Sequence, residues 1–132
     1  MAAGYLSDTN TLIDYLSEKY PTQALEWLDG IYETEAAISV INQIEALGFN
    51  FENPEEEQKC LQFVDASVIY PLDDEVVSRT IQLRKQVKIK LPDAIVAATA
   101  LVHDLQLISR NTADFNKISG LVVINPYELP QS

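Results

Sequence analysis

The stretch GYLSDTNTLI, residues 4–13, decides the architecture of this chain. Its first four residues form a short apolar run around Leu6, typical of a buried strand. Asp8 or Thr9 then offers a side chain that caps a helix. Leu12 begins an apolar repeat at helical spacing that continues beyond this stretch. The stretch therefore predicts a buried strand that runs directly into a helix, with Asp8 at the junction.

The same strand-to-helix alternation continues along the chain. Four further apolar runs are strand candidates, at residues 36–40, 68–72, 105–109 and 121–124. Amphipathic or apolar helices separate most of these strand candidates. The last of the predicted helices, at residues 92–103, is apolar on nearly every side. This pattern predicts an α/β fold, a three-layer α/β/α arrangement with a central parallel sheet of four to five strands. We found no internal repeat or linker, which favours one domain over residues 1–132.

The helix expected from Val40 to about Phe49 carries an apolar stripe that includes Ile44 and Leu47. Glu45 lies beside that stripe. An ionised carboxylate buried there requires a partner, because desolvating an unpaired charge is unfavourable.

Four acids could meet at one edge of the sheet, where the carboxyl ends of parallel strands lie. Two of them follow predicted strands, and the other two lie on helices whose ends could reach the same edge. These acids are Asp8, Glu45, Asp93 and Asp114. If they converge, their mutual repulsion requires a positive charge, and a divalent cation with oxygen ligands is the natural candidate. Taken singly, Asp8 is also explained as a helix cap, Asp93 as a cap or as a first-turn acid favoured by the helix dipole, and Asp114 as a turn residue.

Polar residues accompany two of these acids. Asn10 and Thr11 follow Asp8, and their side chains can orient a carboxylate or bind water. Asn111 precedes Asp114 and offers a second oxygen ligand or a hydrogen bond.

Charge is distributed unevenly along the 132 residues, whose net charge is −11. Such a charge argues against a protein that coats nucleic acid without specificity. Sixteen acids and two bases precede residue 76, however, whereas seven bases and four acids follow. Six of these later bases are candidate phosphate contacts, namely Arg84, Lys85, Lys88, Lys90, Arg110 and Lys117. A solvated helix face is the alternative explanation for the bases between residues 84 and 90.

Other features exclude several classes of protein. Cys60 is the single cysteine, so an internal disulfide is excluded, and we expect a buried thiol. Residues 1–5 lack the basic and apolar regions of a signal peptide, and the longest apolar run is too short to span a bilayer. We therefore expect a cytoplasmic protein without a membrane segment.

Four segments in this order carry a resemblance to a known family. They are LSDTNTLI (residues 6–13), SVINQIE (39–45), LPDAIVAATA (91–100) and LISRNTADF (107–115), with a GLVVINP ending at residues 120–126. Over nearly its whole length the chain resembles PIN-domain proteins, and most closely the small VapC-type ribonuclease toxins of toxin–antitoxin pairs. The resemblance implies a parallel sheet of four to five strands between helices.

The resemblance also implies a site and an activity. Asp8, Glu45, Asp93 and Asp114 would bind one or two Mg²⁺ or Mn²⁺ ions, supported by Asn10 or Thr11 together with Ser109 and Asn111. Asn111 stands where some relatives have a further acid. The implied activity is metal-dependent endonucleolytic hydrolysis of RNA by an activated water. The implied partners are an RNA substrate, a second copy of the chain in a homodimer, and a cognate antitoxin with a basic or apolar inhibitory segment.

Two other functions are compatible with parts of this sequence. One is a non-catalytic PIN-like module that binds RNA or protein. The other is a phosphatase of the haloacid dehalogenase type, because Asp8 ends a first strand as that nucleophile does. That chemistry requires a second acid two residues later, and Asn10 cannot donate the proton.

Overall fold

The computed structural model describes residues 4–129, which form seven α-helices, five strands and a final 3₁₀ turn. The strands are β1 (Tyr5–Ser7), β2 (Ala37–Ser39), β3 (Val68–Tyr70), β4 (Gln106–Ile108) and β5 (Val123–Ile124). The helices are α1 (Thr9–Leu16), α2 (Thr22–Thr34), α3 (Val40–Leu47), α4 (Pro54–Ala66), α5 (Asp74–Gln86), α6 (Leu91–Val102) and α7 (Thr112–Phe115). None of the helices in this range has the length and apolar character needed to cross a bilayer. The expectation about a signal peptide concerns residues 1–5, of which residues 1–3 lie outside the described part of the chain.

The five strands form two hydrogen-bonded ladders, and the strands within each ladder run parallel, as predicted. β1 pairs with β4, placing Leu6 opposite Leu107, and β4 pairs with β5 on its other side. β2 pairs with β3 in a second ladder and packs beside β1. The carboxyl ends of β1, β2 and β4 therefore lie along the same edge of the molecule.

Successive residues of the strands alternate between two helical layers. Leu6 and Leu107 belong to a core that includes buried residues of α5 and α6. Ile38 packs with residues of α1, α3 and α4, and Ile108 packs with residues of α2. Residues 94–100 of α6 are all buried, as its apolar sequence predicted. This arrangement confirms the three-layer α/β/α prediction.

The orientation of α3 differs from the expectation. Ile44 is 63% exposed and Leu47 is 44% exposed, whereas Asn42 and Ala46 on the opposite face are buried. A capping box between Ser39 and Asn42 fixes the start of this helix and turns Asn42 inward. Glu45 is consequently exposed, so the expectation of a costly buried charge there was wrong. The helix also ends at Leu47 rather than near Phe49.

Smaller differences concern the ends of elements. Pro21 precedes α2 as its N-cap. Asp114 lies in the short helix α7 rather than in a simple turn. Cys60 is buried, as expected, with 1% of its surface exposed.

Removing buried volume from the central strand should destabilise the fold. Leu107 is fully buried between β1 and β5. We expect Leu107→Ala to lower the free energy of unfolding by about 2–5 kcal/mol, because it leaves a cavity in the core. Val122→Ala is the matched control, since Val122 is 54% exposed, and should change the free energy by no more than about 0.5 kcal/mol. Urea denaturation measures both, and equal effects would contradict this description of the core.

Candidate functional site

Asp8 occupies the junction between β1 and α1. Its backbone amide is bound to the carbonyl of Ile108, which continues the pairing with β4. Its carboxylate accepts hydrogen bonds from the amide of Thr9 at 2.9 Å, Ser109 Oγ at 2.9 Å and Asn10 Nδ2 at 3.2 Å. Every one of these donors is neutral. Asp8 is 5% exposed, and no cation among residues 4–129 forms an ion pair with it, so its carboxylate is held almost out of water without a compensating charge.

Burial changes the ionisation of this group. Desolvation raises the pKa of Asp8 from 3.8 to about 6, although the hydrogen bonds from Ser109 and Thr9 oppose the rise. The negative charges of Asp93 and Glu45 add smaller upward contributions. Three of the four predicted acids therefore interact electrostatically at one place.

A cavity of about 460 Å³ opens beside Asp8 and is also lined by Glu45 and Asp93. Glu45 reaches it from α3 and accepts a 2.7 Å hydrogen bond from Thr9 Oγ1. Thr9 Oγ1 in turn accepts from Asn42 Nδ2 at 3.0 Å. The amide of Asn42 thus connects the buried start of α3 to the polar wall of this acidic cavity.

Asp93 enters the acidic cavity from the first turn of α6. The N-cap of this helix is Lys90, so Asp93 is not a cap, but its position in the first turn agrees with the helix-dipole alternative. Burial raises the pKa of Asp93, and repulsion from Asp114 and then Glu45 raises it further, while Lys90 lowers it. Asp93 is therefore partly desolvated among like charges, which a cation in the cavity would relieve.

Asp114 does not line the same cavity as the other three acids. It lines a neighbouring cavity of about 530 Å³, together with four cations that are described below. Its carboxylate accepts from Asn111 Nδ2 at 3.2 Å and from Lys117 Nζ at 3.5 Å. The hydrogen bond from Asn111 is the main reason that the pKa of Asp114 lies below its usual value.

The four supporting residues proposed from the sequence have different surroundings. Asn10 and Asn111 line the acidic cavity. Ser109 is fully buried, donates to Asp8 and accepts from the amide of Asn111 at 3.0 Å. Thr11 is fully buried, and its hydroxyl donates to the carbonyl of Ile108 at 2.8 Å. Its main contact therefore joins α1 to β4 and lies beneath the cavity.

A buried acid that we did not single out also lines the acidic cavity. Asp14 in α1 is 2% exposed, and its Oδ2 accepts from Arg110 Nη1 at 2.7 Å and from Tyr127 Oη at 3.2 Å. The signal in the sequence was an acid inside an otherwise apolar helical run. Because Arg110 lies between Ser109 and Asn111, this ion pair anchors the loop that orients both residues.

The residues present suit a hard dication by their donor chemistry. Carboxylate and amide oxygens are the ligands that Mg²⁺ and Mn²⁺ prefer, and Asp8, Glu45, Asp93 and Asn111 present them around one cavity. Within residues 4–129, no three acidic, histidine or cysteine side chains are arranged to ligate one ion as they stand. Small side-chain movements toward an ion would be needed, and Glu45 is exposed enough to make them.

The six cations proposed as phosphate contacts fall into three groups. Arg84, Lys88, Lys90 and Lys117 line the cavity that contains Asp114. Arg110 lines the acidic cavity but is paired with Asp14. Lys85 is exposed on α5 and lines neither cavity.

Comparison with known proteins gives consistent matches. The PIN domain family model matches residues 5–121. The chain is 36% identical to a chain of the toxin–antitoxin complex from Klebsiella pneumoniae, covering 97% of this chain and 100% of that chain with a TM-score of 0.72. It is 26% identical to a chain of FitAcB from Neisseria gonorrhoeae, covering 95% and 99% with a TM-score of 0.74. It shares the fold of a chain of DNA-bound VapBC from Salmonella typhimurium, with 20% identity over 95% of this chain and 99% of that chain and a TM-score of 0.77. No curated protein matches the chain significantly.

The pKa of Asp8 predicts how its replacement affects stability. A carboxyl whose pKa is raised on folding contributes its full stabilisation of the folded state below its unfolded-state pKa of 3.8. This contribution is lost as pH rises through the folded-state pKa of about 6. Asp8→Asn cannot ionise. We therefore expect the stability of Asp8→Asn relative to wild type to improve by about 1–3 kcal/mol between about pH 4 and pH 7.5, since one pKa unit corresponds to about 1.4 kcal/mol.

Urea denaturation of metal-free protein at both pH values measures this change. Asp104→Asn is the control, because Asp104 is exposed and has a positive φ of 54° that asparagine also tolerates. A relative stability of Asp8→Asn that does not vary with pH would contradict the assignment of a desolvated carboxyl.

The pairing of Arg110 with Asp14 predicts a coupled effect on stability. Within residues 4–129, Arg110→Ala leaves the buried Asp14 with Tyr127 as its one side-chain hydrogen-bond partner, and we expect a loss of about 1–3 kcal/mol. Adding Asp14→Asn should recover part of that loss, because the unpaired charge is removed. A double-mutant cycle by urea denaturation measures the coupling. Strictly additive losses would show that the two side chains do not depend on each other.

Proposed function

The chain belongs to the PIN domain family, and from that premise we propose that it is a metal-dependent endoribonuclease, the toxin of a toxin–antitoxin pair. The observation that carries the proposal is the acidic cavity around Asp8. A buried carboxylate with only neutral donors, next to Glu45 and Asp93, is an unfavourable arrangement that a bound dication would stabilise.

Asp8, Glu45 and Asp93 would hold the ion, with Asn111 or Asp114 at its border. One or two bound Mg²⁺ or Mn²⁺ ions would activate a water molecule and stabilise the negative charge that develops on the phosphate in the transition state. Hydrolysis by such a water does not require the ribose 2′-hydroxyl and leaves a 5′-phosphate.

The chain's own residues prepare this site. Ser109, Asn10 and the Thr9 amide fix both oxygens of Asp8. Thr9 Oγ1 holds Glu45 toward the cavity. Because these donors are in place before any ligand binds, little reorganisation is needed when the site is filled. Asp114 would act as an additional ligand or would orient a water as a base.

The structure also offers features that fit the proposed antitoxin. Solved relatives include a toxin–antitoxin complex, and we extend that kind of assembly to this chain. The acidic cavity would attract an arginine or lysine of the partner. Phe49 lines this cavity, and it lies with Ile44 and Leu47 in a short exposed apolar segment that an amphipathic helix of the partner could cover. A homodimer and a cytoplasmic location belong to the same proposal.

A non-catalytic PIN-like module is the alternative. It is favoured by the observation that, among residues 4–129, no three potential ligands are preassembled around one point. The two proposals differ in whether RNA is cut when Mg²⁺ or Mn²⁺ is added.

Neutralising an acid of the cavity should abolish cleavage. We expect Asp93→Asn and Glu45→Gln to reduce the rate of RNA cleavage by at least about 100-fold in Mg²⁺ or Mn²⁺, because each removes a charge that holds the ion. Initial rates on labelled RNA with purified protein measure the effect, and Asp104→Asn is the matched control for charge. Cleavage that persists in both variants, or wild-type protein that does not cut RNA with either metal, would contradict the nuclease proposal.

A further inference from the structure

A second cavity, of about 530 Å³, lies between the end of α5 and α7 and carries mainly positive charge. Arg84, Lys88, Lys90 and Lys117 line it, with Asp114 as the acid among them. In a chain with nine bases and twenty acids, four cations around one cavity are a strong local exception. We call this feature the basic cavity.

The cations of the basic cavity differ in their availability. Arg84 Nη1 donates to the carbonyl of Ile89 at 2.7 Å, which ties α5 to the segment before α6. Lys117 forms an exposed 3.5 Å contact with Asp114, a weak interaction at that distance and exposure. Lys88 and Lys90 are exposed, and no ion pair involves either of them within residues 4–129. The ammonium groups of Lys88, Lys90 and Lys117 therefore remain able to bind an anion.

The basic cavity adjoins the acidic cavity. Lys90 immediately precedes α6, and Asp93 of the acidic cavity lies in the first turn of that helix. On the opposite border, Asn111 lines the acidic cavity and donates to Asp114, which lines the basic one. A polyanion that reaches the acids from this side passes the lysines first.

We propose that the basic cavity binds a phosphodiester group of single-stranded RNA that neighbours the bond placed in the acidic cavity, with Lys88, Lys90 and Lys117 as the phosphate contacts. The proposal rests on the proposed nuclease function and adds to it the direction from which the RNA approaches. Elsewhere the excess of acids repels phosphates at long range. The basic cavity offsets that repulsion beside the site itself.

The geometry also removes two cations from the set that the sequence suggested. Arg110 is neutralised by the buried Asp14 at 2.7 Å. Lys85 is on α5 but outside the basic cavity. Lys85 therefore provides a matched control, an exposed lysine in the same segment of the chain with the same charge.

The test measures binding without cleavage. Fluorescence anisotropy of a labelled single-stranded RNA of about ten nucleotides is followed in EDTA at several salt concentrations for the full chain. Each phosphate contact of a single strand contributes about −0.7 to the slope of log K against log salt. We expect Lys88→Ala/Lys90→Ala to make this slope shallower by about 1.4, with a loss of affinity of at least about tenfold at low salt. Lys85→Ala should match wild type.

Thermal melts of all variants check that the fold is intact, and Lys117→Ala supplies an independent variant that should make the slope shallower by about 0.7. An unchanged slope in the double variant, an equal effect of Lys85→Ala, or no measurable binding by wild type would each overturn the proposal. Because the assay contains no metal, its result is separate from cleavage. Lysine-dependent binding without cleavage in Mg²⁺ or Mn²⁺ contradicts the nuclease function and leaves the phosphate site in place.

Discussion

The burial of the Asp8 carboxylate is the constraint on which the site depends. The chain places this group at the end of β1 with 5% of its surface exposed and surrounds it with hydroxyl and amide donors. Neutral donors stabilise a carboxylate less than a cation does, and the pKa of Asp8 rises to about 6 as a result. The fold thus maintains an unfavourable charge, and strain of this kind is typical of functional sites.

The parallel sheet explains how distant segments reach that charge. β1, β2 and β4 end at one edge, so Asp8, the start of α3 and Ser109 become neighbours although they are far apart in the chain. Asp93 lies in the first turn of α6, whose residues 94–100 are all buried in the core. Rigid packing below the site therefore holds the acids above it. Lys88 and Lys90 of the basic cavity are positioned by the same packing, since the segment that carries them leads directly into α6.

Periodicity and capping chemistry predicted much of this molecule. The strand at residues 5–7 and the helix after Asp8 follow from local patterns, and those patterns also gave the three-layer fold. The rotation of α3 did not follow, because Asn42 is turned inward by its contacts with Ser39 and Thr9, and apolarity alone pointed to Ile44. Asp14 was missed because its partner Arg110 lies ninety-six residues away. Asp114 lies in α7, a helix of four residues that is too short for a periodic signal to predict.

We propose that the acidic cavity holds a hard dication. Anomalous diffraction from crystals grown or soaked with Mn²⁺ tests it most directly, because the ion is located by its own signal. We expect a Mn²⁺ peak within bonding distance of Asp8, with Glu45 or Asp93 moved inward to share the ion. A cavity that stays without Mn²⁺ at saturating concentration, with the acids unmoved, would contradict it.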